Sequence, residues 1–126
     1  MKKIIHTQAA PVPLGPYSQA VKAGDFLFVS GQVGINPAVG KIDAENIQDE
    51  TKQVFKNIEA ILKEAGMELS DIIKATIFVT DLGDFSAVNE VYATFFKKDF
   101  PARETAQACK LPAGAKLEIS VVAFKS

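Results

Sequence analysis

The chain is poor in the residues on which most metal and redox sites depend. Its 126 residues include one cysteine, one histidine and no tryptophan. Because Cys109 is alone, no disulfide can form within the chain, and we expect a reducing, cytoplasmic location. Metal sites normally draw several His, Cys or carboxylate ligands at set spacings, and the sequence has no such cluster. We therefore expect no metal site.

The residues that serve as nucleophile or base in many hydrolases are single and poorly placed. His6 lies near the N-terminus, where we expect a surface position, and a Ser-His-Asp triad would depend on it alone. Cys109 falls in a predicted strand, where buried and inert packing is the expected role. Gly31, Gly34 and Gly40 lack the spacing of phosphate-binding loops.

Neither the charge nor the apolar runs indicate a polymer or a membrane as partner. Fourteen basic and fifteen acidic residues give a formal net charge of −1 without a block of like charge, so we expect no nucleic-acid partner. No apolar stretch follows Lys2 and Lys3 before Pro11, as a secretory signal would require, and no run approaches membrane-spanning length.

Apolar residues are plentiful enough for one core. They make up 48% of the chain, and this length suits one domain, so residues 1–126 are predicted to form a single domain. Helical periodicity predicts one helix from about Asp43 to Ala65, capped by Gly66, and a second that starts after Asp84 and ends before Pro101. Strands are predicted at Phe26–Ser30, Ile72–Thr80, Thr105–Lys110 and Leu117–Phe124, with turns at 36–40 and 112–114.

The order of these elements predicts an α+β fold, with two helices on one face of a mixed, mainly antiparallel sheet. The segments Phe26–Val29 and Val121–Phe124 are apolar on both faces of their strands. Two helices cover only one face of such a sheet, so the other face needs a different cover. A homo-oligomer is therefore predicted.

Arg103 is the strongest candidate for binding a small anion. It follows the turn residue Pro101 and precedes a predicted strand. A guanidinium fixed at such a point can hold a carboxylate through two parallel hydrogen bonds. The alternatives are an exposed surface arginine or one paired with a neighbouring carboxylate such as Glu104.

Glu118 interrupts an apolar strand. Alternation sends Leu117 and Ile119 to one face and Glu118 and Ser120 to the other. Partial desolvation there would raise the pKa of the Glu118 carboxyl toward the range useful for proton transfer. The sequence agrees equally well with the alternative that Glu118 is solvated at an edge of the sheet.

Weaker signals come from turns and strand ends. Tyr17 follows a Gly-Pro turn, Ser30 and Gly31 end a strand, and Asn89 lies within the second predicted helix although Asn is a poor helix former. Each pattern is compatible with a ligand cleft. Each also arises routinely in turns, strand ends and solvated helix faces.

Taken together, these segments resemble the RidA/YjgF family, and the resemblance runs from about Pro13 to Phe124. The order and spacing of the matching stretches are what make it specific. They are Gly15–Val21, Phe28–Gln32, Val88–Tyr92, Pro101–Arg103, Leu111-Pro112 and Leu117–Ile119.

The resemblance implies a chorismate-mutase-like fold, a homotrimer with ligand clefts between subunits, and hydrolysis of 2-iminobutanoate and 2-iminopropanoate without a cofactor. By position, it implies that Arg103 holds the substrate carboxylate and that Glu118 holds or activates the attacking water. It places the backbone near Thr105 as a further carboxylate contact. The remaining cleft residues it implies are Tyr17, Ser30, Gly31 and Asn89.

Other functions fit the same resemblance. One is a non-catalytic protein that binds 2-oxo or amino acids, and relatives have also been described as translation inhibitors with ribonuclease activity and as chaperones. The near-neutral charge and the lack of a histidine pair argue against a nuclease. The chain also departs from the family pattern at Glu104, where many relatives carry a small residue. An acidic side chain would weaken anion binding at Arg103 unless strand alternation places it on the opposite face.

Overall fold

The computed structural model describes residues 1–126 and consists of one six-stranded sheet and two α-helices. Short 3-10 turns lie at Leu69–Asp71, Leu82–Asp84 and Pro112–Gly114. The strands are β1 (Lys2–Ile5), β2 (Ala20–Ala23), β3 (Phe26–Gln32), β4 (Ile72–Val79), β5 (Ala102–Gln107) and β6 (Leu117–Phe124), and the helices are α1 (Ile47–Glu64) and α2 (Phe85–Phe95).

The sheet has the strand order β1-β2-β3-β6-β4-β5. Every neighbouring pair is antiparallel except β4 and β5, which are parallel and are connected through α2. A parallel connection needs a crossover, and the helix provides it. The predicted mixed, mainly antiparallel α+β fold is confirmed.

Both helices lie on one face of the sheet, as predicted. Alternate residues of the central strands form one buried cluster with the apolar stripes of α1 and α2. The buried side chains of α1 include Val54, Phe55, Ile58, Ile61 and Leu62. These are residues of the predicted helical stripe, so the core of the helix layer follows directly from the periodicity.

The ends of α1 have clear local causes. The Asp49 N–H donates to Asn46 Oδ1 (2.8 Å), so the helix begins after Asn46 rather than at the predicted Asp43. At the other end Gly66 has a φ of +75°, and the Met67 N–H donates to the Leu62 carbonyl (2.8 Å). The predicted glycine cap is confirmed.

Two details in the middle of the chain depart from the local sequence pattern. Helix α2 starts after Asp84, as predicted, but the Asp84 side chain makes no capping hydrogen bond; Asp81 instead accepts from the Gly83 N–H (2.8 Å) and starts a 3-10 turn that leads into the helix. In β4, Ile72 is 4% exposed whereas Ile73 is 45% exposed. Strict alternation along this strand would predict Ile73 on the buried face with Ala75. The register shift at Ile72 in the β4–β6 pair reverses that alternation, so the prediction for Ile73 is wrong.

The strand before the C-terminal turn also differs from its prediction. Strand β5 begins at Ala102 and ends at Gln107, three residues earlier than expected at each end. Cys109 consequently lies outside the strand and is exposed, so its predicted buried position was wrong. His6 is exposed, as predicted. No helix of the chain combines the length and the apolarity needed to cross a membrane.

The sheet face opposite the helices carries exposed aromatic rings. Phe26, Phe28 and Phe124 contact one another, with ring centroids 6.4 Å apart for the first pair and 5.0 Å apart for Phe26 and Phe124. Phe28 is 50% exposed. We call this surface the open face; it is the apolar surface that the sequence predicted to lack cover from helices.

Candidate functional site

Arg103 lies on the helix side of the sheet, next to α2. It stands beside Ala75 in the parallel β4–β5 pair, and Ala75 is buried in the core. Its guanidinium carbon lies 4.8 Å from the ring centroid of Tyr92 and 5.5 Å from that of Phe85. The half-buried guanidinium is therefore placed over two aromatic rings rather than in bulk solvent.

Neither alternative for Arg103 holds. The Glu104 carboxylate lies 3.0 Å from Lys74 Nζ, on the open face, because adjacent residues of a strand point to opposite sides. The other ion pair of the chain joins Lys52 to Asp49, so Arg103 has no acidic partner. Its N–H groups can thus donate hydrogen bonds to an external carboxylate, and Glu104 does not compete for them.

A cavity of about 300 Å³ adjoins this guanidinium. Its volume is at the lower end of the range for small-molecule sites. Asn89 of α2 contributes to its wall, so the structure brings together two residues that the sequence singled out separately. The cavity is lined by Asn89, Tyr92, Ala93, Phe100, Pro101 and Arg103.

Two hydroxyl groups on the helix side are buried without a hydrogen-bond partner, those of Tyr92 and Thr105. Thr105 stands beside Ile77 in the β4–β5 pair, two residues beyond Arg103 and on the same face. Burial raises the pKa of the Tyr92 hydroxyl, and the nearby Arg103 only partly offsets this. Tyr92 is therefore neutral at neutral pH and presents no anion to Arg103.

Glu118 lies on the open face, as strand alternation predicted. It pairs with Phe78 across β4 and β6, while its neighbours Leu117 and Ile119 are fully buried on the helix side. Burial raises the pKa of the Glu118 carboxyl, in agreement with the expected desolvation. A raised pKa makes this carboxyl a stronger base than an ordinary glutamate.

Gly31 makes room for the Glu118 side chain. A Cβ at position 31 would lie 2.6 Å from Glu118 Cδ, closer than side chains approach. The β3–β6 register shifts between Val29 and Gln32, and this bulge places Gly31 against the carboxylate. Gly31 and Glu118 therefore form one group on the open face.

Ser30 and Tyr17 lie near this group. The Ser30 hydroxyl donates to the Ser18 carbonyl (2.6 Å), and the Leu14 N–H donates to the Tyr17 hydroxyl oxygen (3.1 Å). Tyr17 and Gly31 also line one cavity of about 20 Å³. Both hydroxyls thus have a role in holding the segment between Leu14 and Ser18.

Within one chain the candidate residues form two separate groups. Arg103, Asn89 and Thr105 are on the side of the helices. Glu118 and Gly31 are on the opposite side of the sheet, with Ser30 and Tyr17 nearby. No single chain brings the guanidinium and the raised-pKa carboxyl together.

The sequence interpretation missed the buried polar residues that hold the loops around Glu118. Glu50 is 4% exposed, and its Oε2 accepts from the Lys116 N–H (2.7 Å), two residues before Glu118. Asn57 is fully buried and donates to the carbonyls of Val33 (3.0 Å) and Ile35 (2.9 Å). Their signal was present, because both are polar residues among the apolar positions of α1.

Gln19 is a third buried polar residue of this kind. Its Oε1 accepts from the Thr7 N–H (2.8 Å), and its Nε2 donates to the carbonyls of Thr7 (3.0 Å) and Pro11 (2.9 Å). These bonds fasten the segment after β1 beside β2. The aromatic partners of Arg103, Phe85 and Tyr92, were also missed as site residues, since the sequence indicated only that they share a helix face.

Comparison with known proteins relates the whole chain to one family. The family model described as Endoribonuclease L-PSP matches residues 7–125. A RutC family protein of Pyrococcus horikoshii is 48% identical over 125 residues, which are 99% of each chain. Reactive Intermediate Deaminase A, chloroplastic, of Arabidopsis thaliana is 47% identical over 122 residues, covering 97% of this chain and 65% of that protein.

Solved structures give the same relationship. The crystal structure of Escherichia coli TdcF with bound serine superposes with a TM-score of 0.94 at 44% identity, covering 98% of this chain and 99% of TdcF. Sequence and fold therefore agree over nearly the whole length. The chain belongs to the RidA/YjgF family, which includes reactive intermediate deaminases.

Proposed function

We propose that the protein hydrolyses 2-imino acids, among them 2-iminobutanoate and 2-iminopropanoate, to 2-oxo acids and ammonia. The observation that carries this proposal is Arg103, a half-buried guanidinium without an acidic partner at the wall of a cavity of about 300 Å³. Such a donor binds a planar carboxylate through two parallel hydrogen bonds. A carboxylate is the feature common to all 2-imino acids.

The remaining groups on the helix side complete the carboxylate site. Asn89 lines the same cavity as Arg103. The backbone at Thr105 is a further contact in the proposed site, since β5 is an edge strand. Together these groups would hold the C=N carbon of the substrate in a fixed position for attack.

Glu118 supplies the proton transfer in this proposal. Its carboxylate accepts a proton from a water molecule as the water oxygen bonds to the C=N carbon. The C=N π electrons move to the nitrogen, and Glu118 passes the proton to this nitrogen in the tetrahedral intermediate. As the C–N bond breaks, the Glu118 carboxylate takes the hydroxyl proton, the C=O bond forms, and ammonia leaves and can take up that proton. A protonated imine is already a strong electrophile, so positioning and modest general acid–base catalysis suffice and no cofactor takes part.

A complete site requires more than one copy of the chain. Arg103 and Glu118 point to opposite sides of the sheet within a single chain. We therefore propose that the guanidinium of one subunit faces the carboxyl of its neighbour across a cleft in a homotrimer. The exposed aromatic rings of the open face support this assembly, because burying them would stabilise it.

The relatives support the choice of ligand and reaction. The TdcF structure was solved with bound serine, a small molecule that carries a carboxylate. The plant relative is named Reactive Intermediate Deaminase A, chloroplastic. Both are consistent with a 2-imino acid as the substrate.

The coupled reaction with threonine dehydratase tests the activity. This enzyme releases 2-iminobutanoate from threonine, and we expect added protein to accelerate formation of 2-oxobutanoate. Arg103→Ala should abolish the acceleration with an unchanged circular dichroism spectrum. Lys74→Ala is the matched control and should retain activity. It also removes a cation, but one whose only ion pair, with Glu104, is exposed to solvent. Full activity of Arg103→Ala would contradict the proposal, and saturable 2-oxobutanoate binding without acceleration would favour a metabolite sensor.

Subunit mixing tests the shared site. Arg103→Ala and Glu118→Gln are each expected to be inactive alone. After equal amounts are unfolded together and refolded, random assembly leaves about a quarter of the interfaces with both wild-type groups. We expect about a quarter of wild-type activity. No recovery in trimers shown to be mixed by mass would contradict a site built from two subunits.

A further inference from the structure

The guanidinium of Arg103 lies against two aromatic rings that come from one helix. Phe85 and Tyr92 are seven residues apart, so they lie on the same side of α2 two turns from each other. The distances from Arg103 Cζ to their ring centroids are 5.5 Å and 4.8 Å, both within the range of cation–π attraction. One helix face thus provides both aromatic contacts.

The two rings are held differently. Tyr92 is 5% exposed, and its ring packs against Phe55 and Phe96 at centroid distances of 5.8 Å and 4.7 Å. Phe85 is 37% exposed and has no aromatic neighbour. Tyr92 is therefore a rigid support belonging to the core, whereas Phe85 can be changed with little disturbance to the core.

We propose that Phe85 and Tyr92 are positioning residues, which hold Arg103 ready to bind the substrate carboxylate. This inference rests on the carboxylate-binding role proposed above for Arg103. Aromatic contacts engage the face of a guanidinium and leave its N–H groups, which lie in its plane, free for a ligand. A long side chain held in this way loses less conformational freedom when the ligand binds.

The electrostatics of the site favour aromatic support over an ion pair. A carboxylate beside Arg103 would occupy the same N–H donors that the substrate needs. A ring fixes the cation without competing for those donors, and the neutral Tyr92 hydroxyl adds no negative charge. The two rings therefore hold the guanidinium in place as a carboxylate would, but they leave its N–H groups free to bind the substrate.

Phe85→Leu is the most direct test. Loss of one ring should weaken carboxylate binding equally in the ground state and in the transition state. We expect KM to rise about five- to tenfold and kcat to change by less than about twofold. Phe85→Trp keeps an aromatic face and should restore KM to near the wild-type value.

Phe95→Leu is the matched control, because it makes the same change on the same helix. The Phe95 ring stacks on Phe55 at 4.6 Å and makes no contact of this kind with Arg103. Its KM should stay within about twofold of wild type.

A spectroscopic readout separates this inference from the catalytic proposal. Protons of the Arg103 side chain that lie over aromatic rings should resonate upfield in the NMR spectrum, and Phe85→Leu should move them downfield without any substrate. If the wild-type protein fails to hydrolyse imines but shows these shifts, the proposed function fails and the positioning role stands. Unchanged shifts and unchanged KM in Phe85→Leu would overturn the positioning role. Equal rises of KM in Phe85→Leu and Phe95→Leu would overturn it as well, since they would reflect a general disturbance of α2.

Discussion

The surroundings of Glu118 follow from its place in β6. Its neighbours in the strand fill the core, while its carboxyl lies against Gly31 on the open face. Burial there raises the pKa of the carboxyl above its ordinary value. The same group in a fully solvated position would keep its ordinary pKa and would be a weaker base.

The pH dependence of the reaction should report this shift. If the carboxylate form accepts the proton from water, kcat/KM should fall as pH is lowered through the raised pKa. The free energy of unfolding should change in the opposite direction, because the folded state favours the protonated Glu118 carboxyl. This stabilising contribution is fully present below the ordinary pKa of a glutamate, and it is lost as the pH rises through the raised pKa. Denaturant midpoints of wild type and Glu118→Gln, measured from pH 4 to pH 8, should differ by an amount that depends on pH. A constant difference would contradict the shift.

Gly31→Ala should separate activity from stability. The added methyl group would lie 2.6 Å from Glu118 Cδ, so the carboxylate must move. Because the obstructing atoms are at the end of a flexible side chain, we expect the unfolding free energy to fall by only about 1 kcal/mol. Activity should fall on the order of a hundredfold, since a small misplacement of a catalytic group has large effects. In a Glu118→Ala background the methyl group has nothing to displace, so its effect on stability should vanish.

Helix α1 does more than cover the sheet. Two of its side chains bind loops that are far away in sequence. Asn57 donates hydrogen bonds to the loop after Gly31, and Glu50 accepts one from the loop before Glu118. Buried polar groups are retained when their hydrogen bonds are satisfied, and here those bonds join loop backbone to a rigid helix. The helix therefore fixes the ends of β3 and β6 relative to each other.

Asn57→Ala should show how much the hydrogen bonds between α1 and the loop after Gly31 contribute to stability. It leaves the buried carbonyls of Val33 and Ile35 without their partner, so we expect the unfolding free energy to fall by about 2–4 kcal/mol. Gln53→Ala is the control, since Gln53 only donates to Asn57 Oδ1 (2.9 Å), and its effect should be about 1 kcal/mol or less. Urea unfolding gives both values. Equal losses of unfolding free energy in the two variants would show that the hydrogen bonds from Asn57 to the loop add no stability of their own.

The whole molecule presents one face that its own helices do not cover. Phe26, Phe28 and Phe124 make this face apolar over the β3 and β6 strands at the middle of the sheet. Exposed apolar patches of this kind usually mark an interface. The same assembly would join the two groups of candidate residues, so oligomerisation and activity are expected to depend on each other.

Phe28→Asp should test that dependence. A charge in the middle of the proposed interface should shift the mass measured by light scattering toward the monomer and abolish imine hydrolysis, because buried unpaired charges are strongly unfavourable. Val39→Asp places the same charge at an exposed turn and should leave mass and activity unchanged. A Phe28→Asp protein that keeps its oligomeric mass and its activity would contradict an interface on the open face.

Local patterns were sufficient for much of the fold. The stripe of α1, its Gly66 cap and the alternation around Glu118 could be read from neighbouring residues, because each depends on burial repeated every two or three to four positions. The turn before β5 indicated Arg103 as a candidate for anion binding, and the structure removed the two alternatives for it. Short strands were beyond this reasoning: β1 and β2 have only four residues each and include lysines, so they carry little periodic signal.

The features that local patterns did not predict depend on contacts between strands and helices that are distant in sequence. The start of β5 at Ala102, the bulge beside Ile72 and the exposure of Cys109 follow from which strands lie next to each other. For the same reason no local pattern shows that Phe85 and Tyr92 lie over Arg103, or that Arg103 and Glu118 face opposite sides of the sheet. Periodicity records how each segment is buried, whereas the partners of a side chain depend on contacts between segments far apart in the chain.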